Sequence, residues 1–131
     1  MENVKLNFVH ISENAFFSQE GKLNVIGIFD KIFSDSFPAL HPIFAISVGI
    51  IGKKGLHKIL IEIVAPQKTQ EIIKIEKTDI EIKEDGSGAN FVANLIGIPF
   101  PDPGIYTLKV TLDDSVVDEG NRLILEKKSN V

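Results

Sequence analysis

Cysteine and tryptophan are absent from this 131-residue chain, and tyrosine, methionine and arginine occur once each. Without cysteine there is no disulfide, no thiolate nucleophile and no cysteine-rich zinc site. The pattern fits a reducing compartment. Arg122 is the single arginine among 14 basic residues, so bidentate readers of phosphate or guanine are nearly missing. A net charge of −4 disfavours nucleic-acid binding further. No apolar run approaches the roughly 20 residues of a membrane span. The longest, residues 43–51, has the length of a strand. The opening MENVKLNFVHIS lacks the apolar stretch and small-residue cleavage site of a secretory signal. The expectation is a cytoplasmic protein that binds neither nucleic acid nor membrane.

What is present is an ordinary globular mixture, 44% hydrophobic and 24% charged. The length suits one domain over residues 1–131 with one core and no need of a metal or disulfide staple. The polar tail 127–131 is expected to fray.

Isoleucine and valine dominate the apolar set, and their branched side chains favour a pleated surface. Period-two patterns recur. Val4, Leu6 and Phe8 share a face, as do Ile59, Ile61 and Ile63, then Ile80 and Ile82, then Tyr106, Leu108, Val110 and Leu112. One buried and one wet face marks antiparallel sheets. Residues 23–33, 43–51 and 91–98 are apolar on both faces. These read as central strands, or as strands covered by a loop or by another subunit. In the second of them, Phe44, Ile46, Val48 and Ile50 oppose the small Ala45, Ser47 and Gly49. That small face predicts either a covering loop or a subunit interface.

Turn residues punctuate these runs. Residues 52–55 (GKKG) read as a hairpin between 43–51 and 56–64, and 113–115 (DDS) as another. Ser12 reads as the cap of a short helical turn over 12–19, with Phe16 or Phe17 plugging an open end of the core. The expected fold is all-β: a two-layer antiparallel β-sandwich of about eight or nine strands.

Residues 102–106, DPGIY, open a clean alternating strand and resemble the tyrosine corner of immunoglobulin-like domains. The resemblance implies that the Tyr106 ring packs at the core edge while its hydroxyl bonds loop backbone. The Cys pair and core Trp of that pattern are missing, so it implies the general architecture and not the exact topology.

The stretch GKLNVIGIFDKIFSDSFPALHP, residues 21–42, begins as a strand and ends in prolines. Proline lacks the N–H of a sheet ladder, so the segment reads as a crossover between layers, with Phe33, Phe37 and Leu40 sealing the sandwich end. With Gly21, Lys22, Gly27, Phe29, Asp30, Phe37, Pro38, His41 and Pro42 as the matching positions, the chain resembles an uncharacterised bacterial family. That family is catalogued only as a domain of unknown function, and the resemblance implies no activity and no site residues.

No catalytic, metal or cofactor residue is assigned. His10, His41 and His57 lack metal-ligand spacing and read as surface or edge histidines. No nucleophile elbow frames a serine. The leading reading is a non-catalytic module for protein interaction or self-association. Its candidate patch is Phe37, Leu40 and His41, and its candidate subunit interface is Ala45, Ser47 and Gly49. One alternative is a ligand-binding or enzymatic pocket near Phe37, His41 and loop 99–104. Another is calcium held by Asp113, Asp114, Asp118 and Glu119 across the last hairpin.

Overall fold

A computed structural model describes residues 3–66 and 71–128, with only the backbone for 41, 42 and 71–77. Among the described residues nine strands follow one another: β1 Val4–Phe17, β2 Leu23–Ile28, β3 Lys31–Ser34, β4 Ala39–Gly52, β5 Gly55–Val64, β6 Glu71–Ile82, β7 Ser87–Phe100, β8 Gly104–Leu112 and β9 Ser115–Lys127. They form a four-stranded sheet, β2-β1-β4-β7, and a five-stranded sheet, β3-β9-β8-β5-β6. Every pairing is antiparallel except β3 with β9. The sandwich expected from the period-two pattern is the observed fold.

The alternation is borne out in detail. Ile59, Ile61 and Ile63 are buried, as are Ile80, Ile82, Tyr106, Leu108, Val110 and Leu112. From the other sheet Phe44, Ile46, Val48 and Ile50 meet them, each fully excluded from solvent. Fully burying one such side chain is worth about 1.5–3 kcal/mol. β1 departs from the expected parity. A bulge between Leu6 and Phe8 shifts its register against β4, sending Val9 and Ile11 inward and Phe8 outward over Gly49.

Two local expectations are corrected. Residues 12–17 are strand, not a helical turn, because they pair with β2 from Ser12–Ile28 to Phe17–Leu23. Phe16 and Phe17 stay exposed and plug nothing. The 52–55 turn is not a hairpin, since β4 and β5 belong to different sheets. It is an arch, fastened where Lys53 N–H donates to Asn3 O at 2.6 Å and Lys54 N–H to Asp85 Oδ1 at 2.8 Å.

The 21–42 stretch does cross between layers, and it does so twice. β2 ends at Ile28, and the chain enters the other sheet as β3, where Asp30 O accepts the Ile124 N–H at 2.7 Å. It then returns through residues 35–38, with a cis bond at Phe37-Pro38, to begin β4. Phe37 packs against the core, but Phe33 and Leu40 are exposed and seal nothing. Lys31 lies 5.9 Å from the Phe33 ring centre. At the C-terminal end Phe33 and Ser34 pair with Glu126 and Lys127, so β9 persists into the expected tail; residues 129–131 lie outside the described residues.

Tyr106 forms the corner that its sequence context implied. Its ring is fully buried, and its hydroxyl donates to Asp102 O at 2.6 Å and accepts the Asp102 N–H at 3.2 Å. Burial raises its pKa above the ordinary value although the Asp102 backbone bond pulls the other way, so the hydroxyl stays protonated. The ring meets Phe100 edge-on at 5.2 Å, Phe100 lies 6.3 Å from Phe44, and Phe44 meets Phe29 at 6.4 Å. This aromatic row ties the crossover at Phe29 to the corner.

Tyr106→Phe keeps the ring and loses the corner bonds, so urea unfolding should show a loss of about 1–2 kcal/mol. Tyr106→Ala should cost about 3–5 kcal/mol. Gly49→Ala should destabilise by about 1–3 kcal/mol, because its Cβ would collide with the Phe8 ring. That penalty should shrink in a Phe8→Ala background; an unchanged penalty would place the strain elsewhere.

Candidate functional site

The outer surface of the four-stranded sheet is built on β4. Along it, Ala45, Ser47 and Gly49 are buried within the single chain. β1 pairs with β4 as far as Ser12 and with β2 beyond it. From there the β1–β2 hairpin folds back across the sheet. Its turn residues Gly21 and Lys22 line a concavity with Phe8, His10 and Asn90, residues that lie on β1 and β7. The small side chains of β4 form the floor beneath this cover, with Ala15 of the hairpin also buried. The Ser47 hydroxyl is buried there without a hydrogen-bond partner among the described residues. The Phe8 ring stacks on His10 at 5.3 Å. Ala45, Ser47 and Gly49 are therefore not themselves at the surface: a segment of the same chain lies over them.

Beyond the hairpin the sheet is bare and apolar. Ile43 and its cross-strand partner Ile96 are 51% and 73% exposed. Past that pair the inside-outside parity changes, so that Ala39 and Phe100 are buried while Leu40 and Pro99 are exposed. Gly97, at φ 65°, supplies the backbone kink at the change. β7 forms the rim of this sheet. Its 14 residues, SGANFVANLIGIPF, include no charged side chain, and β4 is its only hydrogen-bonded neighbour among the described residues. Residues 91–98, expected to be central or covered, thus lie on an edge.

Of the candidate patch, Phe37 is half-buried against the core and Leu40 is 68% exposed. The His41 side chain lies outside the described residues; its backbone pairs with Ile98 in β4–β7. Loop 99–104 adjoins this stretch through the Leu40–Pro99 and Ala39–Phe100 pairs. The concavity of about 860 Å³ at the far end of that loop opens on the other sheet instead. There Gly104 and Ile105 meet Val64, Pro66, Lys109 and Arg122, and Phe37 and Leu40 take no part.

Histidine 57, expected at the surface, is 5% exposed. Its Nδ1–H donates to Asp113 Oδ2 and its Nε2–H to Lys53 O, both at 2.7 Å. Only an imidazolium donates from both nitrogens. Burial opposes that charge, but the Asp113 hydrogen bond, the Lys53 carbonyl and the Asp113 charge outweigh it and raise the pKa above 6.5. Asp113 also experiences desolvation, which the His57 bond, the Lys58 N–H and the His57 charge overcome, holding its pKa below 3.8. The pair ties the start of β5 to the β8–β9 turn, where Asp113 and Asp114 take φ of 46° and 70°. The signal missed in the sequence was the pairing of a lone histidine with an acidic turn 56 residues away.

The last hairpin forms as expected, yet its carboxylates serve different backbones. Asp113 Oδ1 accepts from Lys58 N–H at 2.8 Å, while Asp118 accepts from Gly120 N–H at 3.1 Å and from Asn121 Nδ2. Among the described residues no group of three or more His, Cys, Asp or Glu side chains is placed to hold a metal ion.

A family model described as a family of unknown function, DUF6941, matches residues 7–121. No curated protein matches the chain. Among solved structures, the chain is similar to an alkylpurine DNA glycosylase from Pseudomonas fluorescens bound to DNA containing an abasic site analog. The TM-score is 0.58 at 9% identity, covering 95% of this chain and 30% of that one. It is also similar to a β-glucosidase from Erythrobacter marinus, with a TM-score of 0.53 at 12% identity, covering 93% of this chain and 15% of that one. The chain therefore spans less than a third of either. An immunoglobulin-like protein from Pseudomonas aeruginosa aligns over 95% of this chain and 98% of its own, at 16% identity and a TM-score of 0.47. At such identities the likeness concerns the fold alone.

The His57–Asp113 pair sets a pH dependence. The raised histidine pKa contributes stability that is complete below pH 6.5 and lost as pH rises through the folded value. The lowered Asp113 pKa contributes stability present above pH 3.8 and lost as pH falls through its folded value. Asp113→Asn keeps a side chain suited to positive φ but removes the charge. Its stability deficit should be about 1 kcal/mol, the upper end for an exposed pair, because the Asp113 side chain is 37% exposed. Chemical denaturation across pH should show the deficit greatest between pH 3.8 and 6.5 and shrinking on either side. A pH-independent deficit would count against the charged pair.

Proposed function

The chain belongs to the DUF6941 family, of unknown function, and on that footing we propose that it is a non-catalytic interaction module whose docking element is the free edge of β7. The observation that carries this reading is the edge itself. Exposed sheet edges offer unpaired N–H and C=O groups to any extended chain, and proteins usually blunt them with charge, proline, bulges or short strands. Here β3 is four residues long and starts at Lys31, while β2 is six residues long with Gly27 at φ 71°. β6 carries Glu71, Lys74, Glu76, Lys77, Asp79 and Glu81. β7 has Gly97 and Pro99 near one end but is otherwise neutral over its length.

The chemistry of the described polar groups supports the non-catalytic part. Both nitrogens of His57 are engaged with protein acceptors, and the buried Ser12 hydroxyl donates to Asn14 O at 3.0 Å. Neither is left to meet a substrate. Leu40, 68% exposed and paired with Pro99 at the end of β7, extends the same surface, and the His41 backbone pairs beside it with Ile98.

The test is a comparison of the wild-type chain with Asn90→Lys/Asn94→Lys. Both side chains are exposed, so the fold should be retained while the edge gains charge. Tagged wild-type protein expressed in its native cell should retain a protein, its own untagged copy included, that the double variant retains at least about tenfold less, a difference of ~1.4 kcal/mol. Equal retention by the two, or none by either, would overturn the reading.

A further inference from the structure

We propose that the partner seated on β7 is a second copy of this chain, with the two β7 strands running antiparallel about a two-fold axis at Val92. This rests on the reading of β7 as the docking edge and names its occupant. Isologous pairing sets the axial residue against its own copy and each flanking residue against one close to it in sequence, so a strand carrying charge of one sign would repel itself. A strand with no charged residue escapes that repulsion, and β7 has none.

Side-chain sizes favour the same register. Antiparallel alternation puts residues 88, 90, 92, 94 and 96 on one face and 89, 91, 93 and 95 on the other. With Val92 opposite the partner's Val92, Asn90 stands opposite the partner's Asn94, where two amides supply both donors and acceptors. Phe91 stands opposite the partner's Ala93, and Ala89 opposite the partner's Leu95, each a large side chain against a small one. Ile96, 73% exposed in the single chain, stands opposite the partner's Gly88. The two four-stranded sheets then become one continuous sheet, and both exposed edges are removed. A foreign peptide would gain the same backbone bonds, but nothing in its sequence is specified by an uncharged strand. A second copy is specified by these pairs.

Sedimentation equilibrium of the purified full chain, over a dilution series, tests the proposal. Wild type should approach twice the mass of one chain at high concentration. Asn90→Lys/Asn94→Lys should remain at the single-chain mass, because lysine would face the partner's lysine on both sides of the axis. Asn90→Lys/Asn94→Glu should recover the doubled mass, because lysine then faces the partner's glutamate. Recovery is the readout that a merely damaged surface would not give. Monomeric wild type at every concentration, or doubling unaffected by the lysine pair, would overturn the two-fold pairing. If wild type is monomeric yet retains another protein that the lysine pair releases, the second copy is wrong and the docking edge stands. If neither occurs, both fall.

Discussion

The fold depends on one strand being buried on both of its faces. β4 gives Phe44, Ile46, Val48 and Ile50 to the space between the sheets and Ala45, Ser47 and Gly49 to the space under the β1–β2 hairpin. The first set needs bulk, since the opposite sheet is the usual ~10 Å away. The second needs the reverse, because the Phe8 ring already occupies the room a side chain at 49 would take. Sequence alternation between large and small is thus a record of two spacings, and a one-residue slip of β4 would exchange them. Its neighbours β1 and β7 take their register from it across most of their length.

This two-sided constraint explains what could be read in advance. The isoleucine rows of β5, the alternation of β8 and the corner at Tyr106 depend on period two and on a turn five residues long, so local sequence encodes them. The cover over Ala45, Ser47 and Gly49 was legible as a need but not as an identity. Either a loop or a subunit satisfies a small apolar face, and the observed cover is a hairpin of the same chain. Its strands were obscured because Ser12 is as good a helix cap as it is a strand residue. The deciding fact, five pairs between residues 12–17 and 23–28, is a relation between segments and not a property of either. The bulge at Leu6–Phe8 was hidden for the same reason, since an unbroken alternation in sequence does not reveal where one strand gains a residue on its neighbour.

Histidine 57 shows the complementary limit. Its neighbours are lysines, and a residue beside Lys53, Lys54 and Lys58 looks wet. The arch between β4 and β5 turns it inward to a backbone carbonyl four residues earlier and to a carboxylate on the β8–β9 turn at the same end of the sheet. Two acceptors then make the protonated ring the favoured form despite burial. The pair acts as a clasp between the sheet's two turns, and its charge is spent on protein groups. Acid-base residues that serve chemistry keep one face toward substrate, and this one does not.

Edges complete the logic that β4 begins. A sandwich encloses its core only by leaving rims, and a rim is neutralised by charge, brevity, distortion or a partner. β6 takes the first course, β3 the second and β2 the third. β7 must lie against β4, and its inward residues Phe91, Ala93 and Leu95 serve the core. Those inward positions exclude charge on one face. The exposed positions Asn90, Asn94 and Ile96 are under no such restriction, since a sandwich's outer face tolerates charge, as the exposed Asp79 and Glu81 of β6 show. Their neutrality is therefore not explained by burial within one chain. A surface that could carry charge at no cost to the core, and carries none along its length, is what the proposed pairing of β7 with a neighbour would account for.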